Sequence, residues 1–290
     1  MHIDVVARGD NIFLPDSHRV GMFSPRTEKH PSYCALFDVH PVLSMSKTSV
    51  GDRLLSLLAA IARHGAPVPV KVLAKTTGQP LSTVYRNLMA LRRWGLVSEI
   101  GPDAGYGPGP ASIQLAWGFD ATSHLMSVAR PELLRLADRT KESVALMAPV
   151  AGHAMCIDMV ESPQSLRCSY AKGRSLPLVR GASAKALLAF LPEADREAII
   201  ATHVDAASAE AGRLRRSLAT IRRQGYAESE GEIDAGVWGT SAPVFATRGA
   251  VAGAISLMAP AFRIERSHGA LIRMIAQAAA RVSELLQSTH

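Results

Sequence analysis

The stretch KVLAKTTGQPLSTVYRNLMALRRWGLV, Lys71 to Val97, admits few folds. Its apolar residues recur at helical spacing on both sides of Gly78, so two short helices are expected to meet at a glycine turn. Ala74, Gly78 and Val84 fall at intervals of four and six residues. A small residue lets the first helix approach the second, the glycine makes the turn, and a β-branched residue anchors the second helix from beneath. Leu73, Leu81, Val84, Leu88 and Leu91 are then expected to face a core. Ser82, Thr83, Arg86 and Asn87 are left outward near the start of the second helix.

The flanks extend this pattern. SVGDRLLSLLAAIARHG predicts a helix capped by Ser49 and closed by Gly65, with Leu54, Leu58 and Ile61 on one face and Leu55 and Ala62 beside it. The next helices are expected over about 70–77 and 81–94, the latter closed by Gly95. LVSEI reads as a strand, GPDAG as a turn, and YGPG as a short return strand whose Pro108 lacks a ladder donor. Three helices and a hairpin make a winged helix-turn-helix, whose third helix enters a major groove by its N-terminal end. Ser82, Thr83, Arg86 and Asn87 are expected to read base edges, since Arg and Asn can bond guanine or adenine bidentately. Lys71, Lys75 and Arg92, with Arg93, are expected to hold phosphates. Winged modules also serve as protein-interaction domains, so a scaffold without DNA or effector binding is the alternative reading.

Charge agrees with an anionic partner. The formal net charge is +7, and Val50–Pro110 carries seven Lys/Arg against three acidic residues. The 290 residues suggest two domains. The three cysteines, Cys34, Cys156 and Cys168, are odd in number and share no short spacing, which fits a reducing compartment. The N-terminus has charges where a signal peptide needs an apolar run, and AVAGAISLMAPAF is too short and interrupted to span a bilayer. A cytoplasmic protein with no membrane partner is expected. Residues 1–48 mix Pro, His, Ser and charge and are expected to be poorly ordered; Met45 is an alternative start, leaving open whether residues 1–44 are translated.

Beyond the wing, a linker helix is expected over 111–128, and RPELLRLADRTKES predicts another helix with Pro131 in its first turn. SVALMAPV, HAMCIDMV, SLRCSYA, YAESE, GTSAPVFA and VAGAISLMAP read as strands. GASAKALLAFL, EADREAIIATH, AGRLRRSLATIRRQG and about Glu265–Gln287 read as helices. The fold class is α+β with a mainly antiparallel sheet, divided into an extension (1–48), a winged helix-turn-helix (49–110), a linker helix (111–128) and an α+β domain (129–290). His153 and Cys156 stand three apart with no second pair, so they read as strand residues rather than zinc ligands. Ser183 and Lys185 fall on different helix faces, which argues against catalysis, and Lys185 is expected to be solvated or to cap backbone. Neither a catalytic nor a metal site nor a cofactor is expected.

LSTVYRNLMAL, YGPGPASIQLAWG, ARPELLRLADRTKESVAL, DMVESPQSLRCSYAKGRSLPL, ASAKALLAFLP, IRRQGYAESEGEIDAGVWGTSAPV and AGAISLMAP follow one another between Val50 and Gln287. In that order the chain resembles the IclR family of bacterial transcriptional regulators. The resemblance implies a winged helix-turn-helix bound to a double-stranded DNA operator and a linker helix that helps form a homodimer or tetramer. It also implies a GAF-like domain that binds a small-molecule effector, with repression the expected sign. It places the effector cleft at Gly181, Ala182 and Ser183. Family members often carry an acid ten residues before a cysteine in a GVxC…APV pattern; here Ser229 and Gly239 take those positions. The family's paired serines of the later strand correspond to Ser256 and Met258. Losing those polar groups is expected to make the cleft roomier and less polar, suiting a medium-sized or aromatic organic acid. Ser183 and Ser256 would bond the ligand, with Arg180 and Trp238 at the mouth.

Overall fold

The computed structural model describes residues 49–101, 105–246, 249–265 and 267–288; the expected N-terminal extension lies outside them. The first helices are α1 (Val50–His64), α2 (Val70–Thr77) and α3 (Leu81–Arg93). Ser49 and Asp52 cap α1 reciprocally, each side chain accepting the other's backbone N–H at 3.0 Å. Gly65 (φ 70°) and Gly78 (φ 65°) end α1 and α2 in the left-handed conformation. The core gathers Leu57, Ile61, Leu73, Val84, Leu88 and Leu91. Two expectations need correction. Leu81 is 45% exposed, because it opens α3 directly after the turn, outside the 84/88/91 stripe. In α1, Leu57 and Ala60 are buried while Leu55 is exposed, so the stripe is rotated from the expected one.

Strands β1 (Val97–Glu99) and β2 (Tyr106–Pro108) pair antiparallel, Val97 opposite Pro108. Val68 extends the hairpin base by exchanging two backbone hydrogen bonds of 2.9 Å with Tyr106. The hairpin folds tightly onto the end of α3. A Cβ on Gly109 would lie 2.2 Å from the carbonyl oxygen of Gly95, closer than any side chain tolerates.

Helix α4 (Ala111–Thr122) ends sooner than the expected linker. The chain breaks at Ser123, whose Oγ accepts the Met126 N–H and starts α5 (His124–Thr140). Pro131 therefore sits inside α5, not in its first turn. The missing N–H is tolerated because Leu125, Ala129, Leu133 and Leu136 bury one face of the helix.

The rest alternates strands and helices: β3 (Ser143–Val150), β4 (His153–Val160), β5 (Ser175–Pro177), α6 (Ala182–Phe190), α7 (Glu193–His203) and α8 (Ala209–Gln224). Then come β6 (Ala227–Glu230), β7 (Val237–Phe245), β8 (Val251–Pro260), α9 (Ala261–Ile264) and α10 (His268–Ser288). The six strands form one antiparallel sheet in the order β5-β4-β3-β8-β7-β6. The stretch SLRCSYA, expected as a strand, is loop; Ser169 Oγ donates to Glu161 at 2.6 Å within it, and Ser175–Pro177 takes the edge position. One sheet face packs on α5 and α10 through Leu133, Leu146, Ile255, Ile275 and Val282. The other packs on α6, α7 and α8 through Met147, Leu187, Leu188, Ile200 and Leu218. Buried Glu132 ties α5 to α10, accepting Arg281 at 2.9 Å and Arg135 at 2.7 Å. Burial alone would raise its pKa, but the two guanidiniums outweigh that and hold the carboxyl below its usual value. Cys156 lies in the second core, where burial pushes its thiol up to about 11. Across the strand surface, the ring of His153 meets His203 edge-on. No helix among the described residues is long and apolar enough to cross a membrane.

Gly109→Ala is expected to destabilise the winged module by about 1–3 kcal/mol, because the added methyl has backbone, not a movable side chain, in its way. Urea unfolding followed by circular dichroism measures it; an unchanged midpoint would show that the hairpin can shift at no cost.

Candidate functional site

Helix α3 starts after Pro80, whose carbonyl accepts the N–H groups of Thr83 and Val84 at 2.9 and 3.0 Å. No side chain caps this end and no acidic residue lies in the first turn, so its positive dipole end is left uncompensated. Ser82 and Arg86 are exposed there, with Thr83 half-buried beside them. Lys71 and Lys75 are exposed on α2. Tyr85, 53% exposed, stands on the same surface as Ser82 and Arg86 and was missed in the sequence. Its signal is legible afterwards: it lies three residues beyond Ser82 and off the leucine stripe.

Asn87 is the main correction. It is 4% exposed and cannot reach a base. Its Nδ2 donates to Gln79 Oε1 at 3.1 Å, and Gln79 Nε2 donates in turn to the Arg53 carbonyl (2.8 Å) and Ser56 Oγ (3.1 Å). The pair thus joins α3, the turn and α1. The cause is periodicity: Val84, Asn87, Leu88 and Leu91 form the i, i+3, i+4, i+7 stripe that faces the core. Arg92 is also engaged within the chain, donating to Glu99 of the wing at 2.7 Å, although both side chains remain partly exposed. Arg93 is exposed, and the wing-tip residues Pro102, Asp103 and Ala104 lie outside the described residues.

In the second module, Gly181 turns the chain into α6 with φ 84°. Gly181, Ala182, Ser183, Ser229, Gly239 and Met258 line one cleft there, with Arg180. Ser256 does not. It is 1% exposed, and its hydroxyl shares a 2.7 Å hydrogen bond with Ser241, two residues along β8 and β7 from Met258 and Gly239. Trp238 is on the opposite sheet face, buried with α10 and 5.3 Å from the His268 ring, since neighbours along a strand point to opposite sides.

The cleft is tight rather than roomy, with a volume of ≈ 30 Å³. That is space for a few waters. Its walls close through three residues that sequence reading did not assign to it. Glu232 accepts from the Gly181 N–H (Oε2, 2.9 Å) and from Lys185 Nζ (Oε1, 2.5 Å). Its own carbonyl accepts from Arg180 Nη2 at 2.7 Å. Ile233 lies over Gly181, where a Cβ would come within 3.1 Å of its Cγ1. Lys185, expected to be solvated or to cap backbone, is 8% exposed and pairs with the Glu232 carboxylate instead. Ser229 Oγ accepts the Ala182 N–H at 2.9 Å. The start of α6 is therefore arranged for acceptor oxygens, and this chain supplies two of them itself.

Comparison with known proteins gives this geometry a context. Residues 52–100 match the IclR helix-turn-helix domain, and residues 121–284 match the C-terminal domain of IclR bacterial transcriptional regulators. The chain is 31% identical over 251 residues to the HTH-type transcriptional regulator RhmR of Escherichia coli, covering 84% of this chain and 96% of that protein. It is 30% identical over 188 residues to the HTH-type transcriptional regulator TtgV of Pseudomonas putida, covering 64% and 72%. Among solved structures, an IclR family regulator from Brucella abortus superposes with a TM-score of 0.71 at 21% identity, covering 83% of this chain and 93% of that one. An IclR homolog from Microbacterium hydrocarbonoxydans, complexed with 4-hydroxybenzoate, does so with 0.61 at 20%, covering 82% and 99%. These two likenesses are of fold. The chain belongs to the IclR family: it is a DNA-binding transcriptional regulator with an N-terminal winged helix-turn-helix and a C-terminal module of the effector-binding type.

Asn87→Ala should destabilise the protein by about 1–3 kcal/mol, because it leaves the Gln79 amide oxygen buried without its donor. Ser82→Ala should stay within about 0.5 kcal/mol of the parent. Urea denaturation curves of the two variants separate a structural Asn87 from an exposed one; equal midpoints would contradict the buried assignment.

Proposed function

We propose that this regulator binds a two-half-site operator as a homodimer, represses from it, and is controlled by a small organic acid held at the start of α6. The observation that carries the DNA reading is the uncapped, acid-free N-terminal end of α3, with Ser82, Tyr85 and Arg86 exposed together. Ser82, Thr83 and Arg86 contact base edges in this reading. Tyr85 packs on sugar or a thymine methyl. Lys71, Lys75 and Arg93 hold phosphates, while Arg92 stays with Glu99 and stiffens the wing. An interaction scaffold without DNA is disfavoured by the family to which the chain belongs.

Dimerisation is supported by α4, which exposes Ile113 (73%), Leu115 (64%) and Trp117 (78%), an apolar set of the kind that marks protein–protein contact sites. In this reading the oligomer is a dimer, or a tetramer built from two. Repression is supported by relatives of that kind: the transcriptional repressor IclR of Escherichia coli is 28% identical over 221 residues. An acid effector is supported by the acceptor-seeking start of α6, and the aromatic class by the 4-hydroxybenzoate found in the Microbacterium homolog. A protein that acts on chromosomal DNA works in the cytoplasm, and catalysis has no part in the reading. Coupling of about 1–3 kcal/mol between effector and operator would change occupancy roughly 5–150-fold.

A gel shift with DNA flanking the gene, competed with random DNA, tests the operator reading. Arg86→Ala is expected to lose about 1–3 kcal/mol of operator affinity and to relax base preference. Lys75→Ala should instead weaken all sequences alike and lower the log–log salt slope by about 0.9. Retained operator preference in Arg86→Ala would remove Arg86 from base reading.

For the effector, calorimetric titration of the full chain with aromatic and aliphatic acids, 4-hydroxybenzoate among them, should give saturable heat with at least one aromatic acid. That acid should also shift the operator complex. No heat with any acid would end the effector reading.

A further inference from the structure

Resting on the effector reading above, we infer that Glu232 is a resident carboxylate that occupies the effector's acid position, and that an acid effector enters by displacing it. The turn between β6 and β7 runs from Gly231 to Gly236, and both glycines adopt positive φ (65° and 75°). The Gly231 N–H donates to the Val237 carbonyl at 2.9 Å and closes the neck of this strap. The strap then presents Glu232 and Ile233 to the start of α6. Glu232 offers its two carboxylate oxygens to the Gly181 N–H and the Lys185 ammonium. A bound acid would use the same donors with the same geometry. Ile233 fills the space next to them, where the apolar body of such an acid would lie.

Volume requires displacement. The cleft holds ≈ 30 Å³, against roughly 300 Å³ or more for sites that enclose a drug-sized ligand. An aromatic acid cannot be added to this arrangement; something must leave. The two members of the ion pair differ in how easily they can. The Glu232 side chain is 35% exposed, whereas that of Lys185 is 11% exposed. Glu232 can swing to water with its charge hydrated. Lys185 stays behind, and an unpaired buried ammonium is costly. The cleft therefore opens only to a ligand that brings a replacement anion. A neutral amide or alcohol of the same shape would offer the Gly181 N–H and Lys185 an acceptor oxygen but no negative charge, leaving the buried ammonium uncompensated. Selectivity for acids then comes from Lys185, and the threshold for opening comes from Glu232.

Four chains test this, all full length: wild type, Glu232→Gln, Glu232→Ala and the double variant Glu232→Ala/Lys185→Met. Glu232→Gln keeps the side-chain shape and removes the charge. It should bind 4-hydroxybenzoate about tenfold more tightly than wild type, while 4-hydroxybenzamide remains a poor ligand of both. Glu232→Ala vacates the subsite, so acetate at millimolar concentration should raise its melting temperature in excess of a chloride control. Wild type should show no such gain, and adding Lys185→Met to Glu232→Ala should abolish it. Equal affinities for 4-hydroxybenzoate in wild type and Glu232→Gln overturn the displacement. So do equal acetate responses in wild type and Glu232→Ala. If Glu232→Ala does not fold, the Glu232→Gln comparison decides alone. Acetate binding to Glu232→Ala with no aromatic or aliphatic acid bound by wild type or Glu232→Gln would keep the resident carboxylate and sink the effector reading instead.

Discussion

Both faces of the central strands are shut from water, and most of the second module follows from that constraint. Every residue of β8 and all but the last of β3 are buried. An antiparallel sheet more often leaves one face wet and alternates apolar with polar residues. Here alternate side chains must find separate cores: Leu146, Ile255 and Leu257 on the α5/α10 side, Met147, Ala254 and Met258 on the α6/α8 side. Covering the second face brings α6 against β7 and β8, where small residues allow close approach. Gly239 is the clearest case, since a Cβ there would already touch the Ala182 methyl, 3.8 Å away. The cleft exists because a helix start is pressed onto a sheet by burial, and its dimensions are set by what little side chain intervenes.

The winged module answers to a different constraint. It is small, and its apolar core of Leu57, Ile61, Leu73, Val84, Leu88 and Leu91 is modest. Gln79 and Asn87 add a buried polar link to it. Such a link contributes little net energy when satisfied and costs much when broken, so it serves geometry more than stability. It fixes the angle of α3 against α1 through the Arg53 carbonyl and Ser56 Oγ. The exposed residues Ser82, Tyr85 and Arg86 inherit that fixed placement, which a base-reading surface requires within a fraction of an ångström.

The elements themselves were legible from pattern. The glycine-punctuated helices and the apolar runs SVALMAPV and VAGAISLMAP announce helix-turn-helix and strands without any structure; that both faces of those strands are covered is a finding of the structure. Asn87 reads as a surface residue by its polarity, but its phase in the 84/87/88/91 spacing places it in the core, and phase prevails. Trp238 was misplaced for the corresponding reason in a strand, where parity decides the face. The break at Ser123 was hidden by Pro131, a stronger but misleading helix-start signal. Glu232 and Lys185 were out of reach of any local pattern. They stand 47 residues apart, and only the packing of α6 beside the β6–β7 turn brings them together.

In the reading proposed above, two polar pairs support the two surfaces, and they differ in one respect. Asn87 and Gln79 are both shut in, at 4% and 8% exposure, and neither has a route to another partner. Their link is permanent and holds a fixed shape. Lys185 is shut in, but Glu232 reaches water, so that pair can exchange one member without leaving an orphaned charge. A switch needs two states of comparable energy, and an ion pair whose anion has equivalents in solution supplies them. The strap that carries Glu232 is bracketed by glycines at positive φ and lies outside the paired register of β6 and β7. In the reading proposed above, the fixed pair sets what the protein recognises, and the exchangeable pair sets when.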